Sequence, residues 1–460
     1  MRDDADLRDD ADLRDDADLR DDADLRDDAD LREGTDQRDA GLLRPARHWY
    51  SVRVMQYVLA LVLQAAGSLR CVAATFRVLA EPLGLEERTP CANTGRGWLL
   101  RVGLYALRCP LEKADDWVWL MDHTLQLGPL KCLVILGIRR SVWEADRRPL
   151  RHADMTLLNL TPMASATGDA VAAQLEATVA RTGIPRAVLS DGGTDLKRAM
   201  QIFAQTHPAT THLRDLKHQH ALLLKKRLAA DADWTQFVAA ANTLRLGITQ
   251  TDLAFLNPPT LKTKARFMNL DRLVHWARRA LRFLDQPPTL PFPVDQQQVR
   301  EKLAWLIPYR RPLGEWSRWL KLLRTTETHV HQTGLHQGLP RELRPLLAPL
   351  ARTAPSRRLR HDILTFLISQ TQHLPPHERL PGSTEVLESA IGKYKRLQST
   401  HSAGGMTSLL LSLGALVGHP TATFIQEALE TIHTADLKTW TQTHLSPTLT
   451  IQRRRALPAP

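Results

Sequence analysis

The chain has 460 residues, 43% hydrophobic and 24% charged, which is ample apolar content for packed cores and more length than one core fills. Residues 1–40 hold 18 acids against 7 arginines, so residues 41–460 carry a net +22 where the whole chain carries +11, a surplus that favours a polyanionic partner such as double-stranded DNA. Four scattered cysteines, Cys71, Cys91, Cys109 and Cys132, argue against a zinc ribbon or a disulfide framework and fit a reducing cytoplasm.

Residues 2–31 are five copies of Arg-Asp-Asp-Ala-Asp-Leu, followed by a decayed copy. A period of six matches neither the ~3.6-residue helical turn nor the ~3.5-residue coiled-coil repeat, so the leucines form no stripe. With one leucine against three aspartates per unit, the segment cannot offset its ordering entropy, and 1–40 is predicted to be a disordered acidic tail. Copies this exact fit a DNA repeat expanded recently and read through in frame.

Residues 41–110 read as a small helical domain. Val54–Ala66 is one apolar helix, Ser68 caps a second running to Ala80, Pro82 and Gly84 break the chain, and Thr89-Pro90 opens a third element through Trp98. The pattern is compatible with a helix-turn-helix, with Arg96 and Arg101 as its candidates for DNA contact. The apolar runs Val54–Ala66 and Met406–Gly418 are each about 13 residues, against about 20 for a bilayer span, so no membrane role is expected.

Residues 111–230 switch to strand patterning. Trp117–Met121, Lys131–Ile138 and Met155–Leu160 are apolar runs, the first two separated by the turn residues Gly128-Pro129. Asp169–Thr182 has helical spacing and stops at Gly183. Ala187–Leu189, the helix Asp195–Gln205, Thr211–Leu213 and the basic helix Leu216–Leu228 follow. Three strands, helix, strand, helix, strand, helix is the element order of the RNase H fold, an α/β arrangement around a mixed sheet. From 231 to 381 strands nearly vanish and five tryptophans sit in helical patterns, which predicts an all-helical insertion. Residues 382–460 supply the helix Thr384–Leu397 and a C-terminal helical part.

Strand-to-strand phosphoryl transfer in nucleic acids needs an activated oxygen nucleophile, charge relief at phosphorus and a stabilised leaving oxygen. Two magnesium or manganese ions about 4 Å apart supply all three when carboxylates hold them. In this fold those acids come from the end of the first strand, the end of the fourth and a later helix, which points to Asp122, Asp191 and Glu388. Gly192 and Gly193 clear side chains from beside Asp191. Singly, each aspartate also fits a turn or a helix cap. Asp215 is placed to cap the helix from Leu216 as well as to join the site, with His218 beside it. Glu385 competes with Glu388 as third acid, although an acid so near the start of a helix has an ordinary role against the helix dipole.

The segments Trp119-Leu120-Met121-Asp122-His123-Thr124, Leu189-Ser190-Asp191-Gly192-Gly193 and Asp215-Leu216-Lys217-His218, together with Glu388 six residues before Lys395, resemble the core of DDE transposases of the bacterial insertion-sequence type. The resemblance spans Asp115 to Ser399, departs at Glu385, where related families often carry Asn, and has no counterpart for residues 1–40. It implies an enzyme that cleaves transposon ends and transfers strands into target DNA, Lys395 near a phosphate, and a homodimer or higher oligomer on DNA at the nucleoid. Two alternatives stay open: a metal-dependent nuclease without strand transfer, and an inactive domesticated DNA-binding protein.

Overall fold

The computed structural model describes residues 44–80, 88–127, 130–146, 149–261, 267, 270–287, 292–401, 407–417, 420–447 and 449–457. The acidic tail 1–40, the Pro82 and Gly84 break and the Gly128-Pro129 turn lie outside them. Three helices come first: α1 (Val52–Leu63), α2 (Leu69–Ala80) and α3 (Ala92–Arg108). Ser51 caps α1 by accepting the Val54 N–H, and Ser68 caps α2 by accepting the Cys71 N–H at 3.1 Å, as its sequence position predicts.

The sheet follows: β1 (Trp117–Leu127), β2 (Leu130–Arg139), helix α4 (Arg140–Asp146), β3 (Thr156–Met163), α5 (Gly168–Thr182), β4 (Ala187–Ser190), α6 (Thr194–Thr206), β5 (Thr211–Arg214) and α7 (Leu216–Leu228). Spatial order is β3-β2-β1-β4-β5, antiparallel through the first three and parallel from β1 to β4 and β4 to β5. Such a mixed five-stranded sheet is consistent with an RNase H-like core. The strand period of two sorts β1 onto two buried faces. Trp117, Trp119 and Met121 pack with Leu175 of α5 and Phe203 of α6, while Val118 and Leu120 face the larger core that holds the remaining helices.

One expectation needs correcting. β1 does not stop before Asp122; it continues to Leu127, because β2 keeps pairing with it, Asp122 opposite Val134. On its other edge, pairing with β4 ends at Met121 opposite Ser190. Asp122 therefore stands inside a strand but one residue past the point where β4 peels away.

Helices α8 (Ala232–Ile248), α9 (Leu270–Asp285), α10 (Gln296–Leu303), α11 (Arg310–Thr333), α12 (Leu339–Leu347) and α13 (Ala354–Thr371) form the all-helical stretch. Aromatic rings fill its centre, with Trp234 edge-on to Trp316 at 5.0 Å and Phe237 among Trp305, Tyr309 and Trp316. Leu335 and Leu380 exchange two backbone hydrogen bonds of 2.7 and 3.0 Å near its end. The chain then enters α14 (Glu385–His401), which packs on β1, and closes with α15 (Ser412–Leu416), α16 (Ala422–Thr431), α17 (Thr434–His444) and α18 (Leu449–Ala456).

The N-terminal helices pack against this C-terminal group. α3 crosses α15 so closely that a Cβ on Gly103 would stand 1.8 Å from the Leu411 carbonyl oxygen. The two ends of the described chain thus share one core, and α1–α3 bury the face that an isolated helical module would leave open. No helix among the described residues is long and apolar enough to cross a membrane.

Candidate active site

Four acidic side chains and one imidazole gather where β1, β4, α7 and α14 meet. Asp122 shares strand parity with Val118 and Leu120, so its side chain lies on the sheet face that α14 covers. It is half-buried. Burial first, the Asp191 charge second and Glu388 further push its carboxyl up to about 7, against the opposing pull of His218 and a backbone hydrogen bond. A carboxyl held that high reports negative charges crowded together with too little water between them.

Asp191 is the first residue after β4. Its Oδ1 accepts the Gly193 N–H at 2.8 Å, and Gly192 between them takes φ +79°, a conformation open to glycine, with Arg214 Nε near where a Cβ would sit. The turn role expected of this aspartate is therefore real, and it engages one oxygen of the carboxylate.

Asp215 is almost fully buried and caps α7. Its Oδ2 accepts from the His218 backbone N–H at 2.8 Å and stands 2.6 Å from His218 Nδ1, while Oδ1 accepts the Thr384 N–H at 2.8 Å. Burial alone would raise this carboxyl; the His218 contacts and these amides outweigh it and hold it below the usual range. Both its oxygens are satisfied within the protein, so the capping role accounts for Asp215 fully.

His218 lies between Asp215 and Glu388, with Nδ1 3.3 Å from Glu388 Oε1. Burial disfavours its charge, but Asp215, Glu388 and Asp191 overcome that and hold it up to about 9, so it is an imidazolium at neutral pH. Glu388 Oε1 is buried and makes no hydrogen bond. Burial pushes the Glu388 carboxyl up, with the acids around it adding to the rise and His218 and Lys217 opposing it.

α14 starts at Glu385, so both candidate glutamates stand in its first turn and the dipole role fits either. The dipole role expected of Glu385 therefore does not by itself separate it from Glu388. Their partners separate them. Glu385 turns away from the acids, pairs with Lys217 Nζ and lies 3.0 Å from His331 Nε2 of α11. The His331 hydrogen bond first, then Lys217 against burial, bring its carboxyl down to about 2. Glu388 turns towards Asp122 and His218.

Of the residues expected to meet DNA, Lys395 is exposed on α14, and Arg96 is half-buried with Nη2 3.5 Å from Ser408 Oγ. Arg101 stands elsewhere than expected: its guanidinium donates to the carbonyls of Leu429 and Ile432, and burial lowers it to about 10. It clamps α3 to the C-terminal helices, half-buried, with its guanidinium taken up by those carbonyls. His331 was missed from the sequence, although its four-residue spacing from Glu327 marks one face of α11 and Glu327 reaches buried His220 at 2.6 Å.

No family model and no curated protein sequence matches the chain. Among solved structures it is similar to a chain of the Drosophila P element transposase strand transfer complex, at 13% identity over 84% of this chain and 93% of that one, with a TM-score of 0.28. A likeness that slight carries no weight, and the site must speak for itself.

Its donor set suits a divalent cation of the magnesium or manganese kind. The donors are carboxylate oxygens, which such hard cations prefer. Glu388 Oε1 is buried without a hydrogen-bond partner, and Asp122 sits among like charges that a cation would relieve. Asp215, His218 and Glu388 also bring one ligand atom each within 4.8 Å of one another, but Asp215 is already engaged and His218 is protonated.

Proposed function

We propose that the chain is a metal-dependent DNA-processing enzyme of the DDE transposase class, cleaving transposon ends and joining them to target DNA, with Asp122, Asp191 and Glu388 holding magnesium or manganese. The observation that carries this reading is the convergence of the Asp122, Asp191 and Glu388 carboxylates, with Asp122 pushed up to about 7 by burial first and then by Asp191, and with Glu388 Oε1 buried, free of hydrogen bonds and 3.3 Å from His218 Nδ1. Acids crowded together with little water between them are an arrangement suited to binding a cation. Bound there, the ions would activate an oxygen nucleophile and stabilise the leaving oxygen of a phosphodiester.

The remaining residues serve orientation. Asp215 ties the start of α14 to the start of α7 and holds His218 in place. His218, positive at neutral pH, lies beside Glu388, where it can draw a phosphate towards the acids. Lys395, exposed two turns further along α14, is available to a phosphate farther out.

The His218 charge also favours a second reading. It compensates part of the acid cluster unaided, as a DNA-binding protein without catalysis would need. Manganese titration followed by paramagnetic resonance, alongside cleavage of duplex DNA in magnesium, decides between them. The enzyme reading expects tight manganese binding that Asp122→Asn abolishes, and cleavage lost in the same variant. Manganese binding that is absent, or unaffected by Asp122→Asn, leaves the DNA-binding reading.

A further inference from the structure

Away from the acids, α9 and α11 border an open groove of about 570 Å³. Both helices are amphipathic. α9 buries Leu273, Val274 and Leu281, while α11 buries Trp316, Trp319 and Leu323. Towards the groove α9 presents Asp271, His275 and Arg278, and α11 presents Ser317, Lys321, Arg324, Thr328 and Gln332, each set spaced three and four residues apart along one stripe.

The charged side chains of the groove are mostly cations, Arg278, Lys321 and Arg324, set along a floor of Val274, Leu320 and Leu346. Asp271 is the one acid of the lining, and the pair it makes with Arg324 at 3.3 Å has side chains 44% and 73% exposed, so water screens it. Lys321 is exposed and has no ion-pair partner among the described residues, and Arg278 is steered by a 2.6 Å hydrogen bond to Ser317 Oγ. Residues 231–381 as a whole hold 22 lysines and arginines against 12 aspartates and glutamates. The groove offers no aromatic platform for a base and no enclosed pocket for a nucleoside. Point cations and hydroxyls strung along two helices match a phosphate backbone, which is contacted without regard to sequence.

We propose that the α9–α11 groove holds the sugar–phosphate backbone of duplex DNA, an inference that rests on the DNA-processing reading above. α11 is also the helix whose flank is tied to the two helices beside the acids, through His331 to Glu385 of α14 and Glu327 to His220 of α7. DNA seated on α11 is thereby held in a fixed relation to the helix that carries Glu388.

The test uses the full chain and a labelled duplex DNA of arbitrary sequence, its affinity followed across salt concentration. Arg278→Glu with Lys321→Glu should weaken binding at low salt by about tenfold or more. The neutral pair Arg278→Gln with Lys321→Gln should make the salt slope shallower by roughly one to two, near 0.9 per lost phosphate contact. Arg357→Glu with Arg358→Glu makes the same charge change on exposed positions of α13 outside the groove and should cost no more than about threefold. All positions changed are exposed, and unaltered melting curves keep the comparison clean. Equal losses in the groove and α13 variants, or tighter binding of duplex RNA than of DNA, overturn the proposal. Wild-type binding left intact in the groove variants removes the groove alone, whereas a wild-type chain that binds no duplex DNA removes the DNA-processing reading with it.

Discussion

Asp215 Oδ1 accepts the backbone N–H of Thr384 at 2.8 Å, joining residues 169 apart in the chain. The other oxygen of the same carboxylate caps α7, so one buried aspartate fixes where two helices begin and sets Glu388 opposite His218. Each oxygen quiets an amide that would otherwise be left bare at a helix start.

The crowding at Asp122 makes a paired prediction. Between about pH 4 and pH 7 the folded chain keeps this carboxyl protonated while the unfolded chain has lost the proton, so this group's contribution to stability falls as pH rises through that range. Asp122→Asn should therefore raise stability in metal-free buffer at pH 8, on the order of 1–3 kcal/mol, and abolish metal-dependent cleavage. Chemical unfolding with and without manganese reads both. A destabilised Asn variant in metal-free buffer would contradict the crowded site.

Glu388→Gln should remove cleavage and leave folding nearly intact. Glu385→Gln breaks the contacts to Lys217 and His331 and should cost about 1–2 kcal/mol, with metal binding preserved. Cleavage surviving in the Glu388 variant and lost in the Glu385 variant would exchange their roles.

Arg101→Ala strips two buried carbonyls, Leu429 and Ile432, of their donor. A loss of about 2–4 kcal/mol is expected, with DNA affinity per folded molecule unchanged. A weakened salt slope at full stability would return Arg101 to the DNA surface.

Gly103→Ala places a methyl against the Leu411 carbonyl, backbone against backbone, where no side-chain rotation relieves it. It should destabilise the whole chain by at least about 2 kcal/mol, and a fragment of residues 41–110 should fail to fold without its C-terminal partners. A cooperative melt of that fragment would show the opposite.

His212 supplies a pH signature remote from Asp122. Burial first, then the Arg214 charge, hold its imidazole down to about 4 in the folded chain, against about 6.5 unfolded. The unfolded chain binds the proton first, so this stability is complete above pH 6.5 and drains as pH falls towards 4, by on the order of 2–3 kcal/mol. His48, lowered to about 4 chiefly by burial and then by Arg101, adds a similar loss. His212→Gln should flatten part of the slope, and an unchanged slope would place the proton elsewhere.

Periodicity made the secondary structure legible: the boundaries of α7 at Leu216–Leu228 follow from the sequence to the residue, and Ser68 announced its helix. Asp191 was legible because glycines follow it. The length of β1 was not, because what extends it past Met121 is pairing with β2 on one edge only, a tertiary fact. Arg101 misled for a similar reason. An arginine on an amphipathic helix reads as solvent-facing until the partner that buries it is known, and that partner lies 328 residues downstream. The two glutamates of α14 could be named from spacing, but their different neighbours come from α7 and α11, remote in sequence.

The insertion between Asp215 and Thr384 also sets an order in time. Ribosomes deliver Asp122 and Asp191 first, and Glu388 emerges 197 residues after Asp191, an interval of roughly 10–40 s at ordinary elongation rates. Throughout it the growing chain owns two of the three acids, and Asp215 waits for an amide not yet made. A chain that terminates inside the insertion would lack both the residue that completes the acid cluster and the C-terminal helices that share a core with α1–α3.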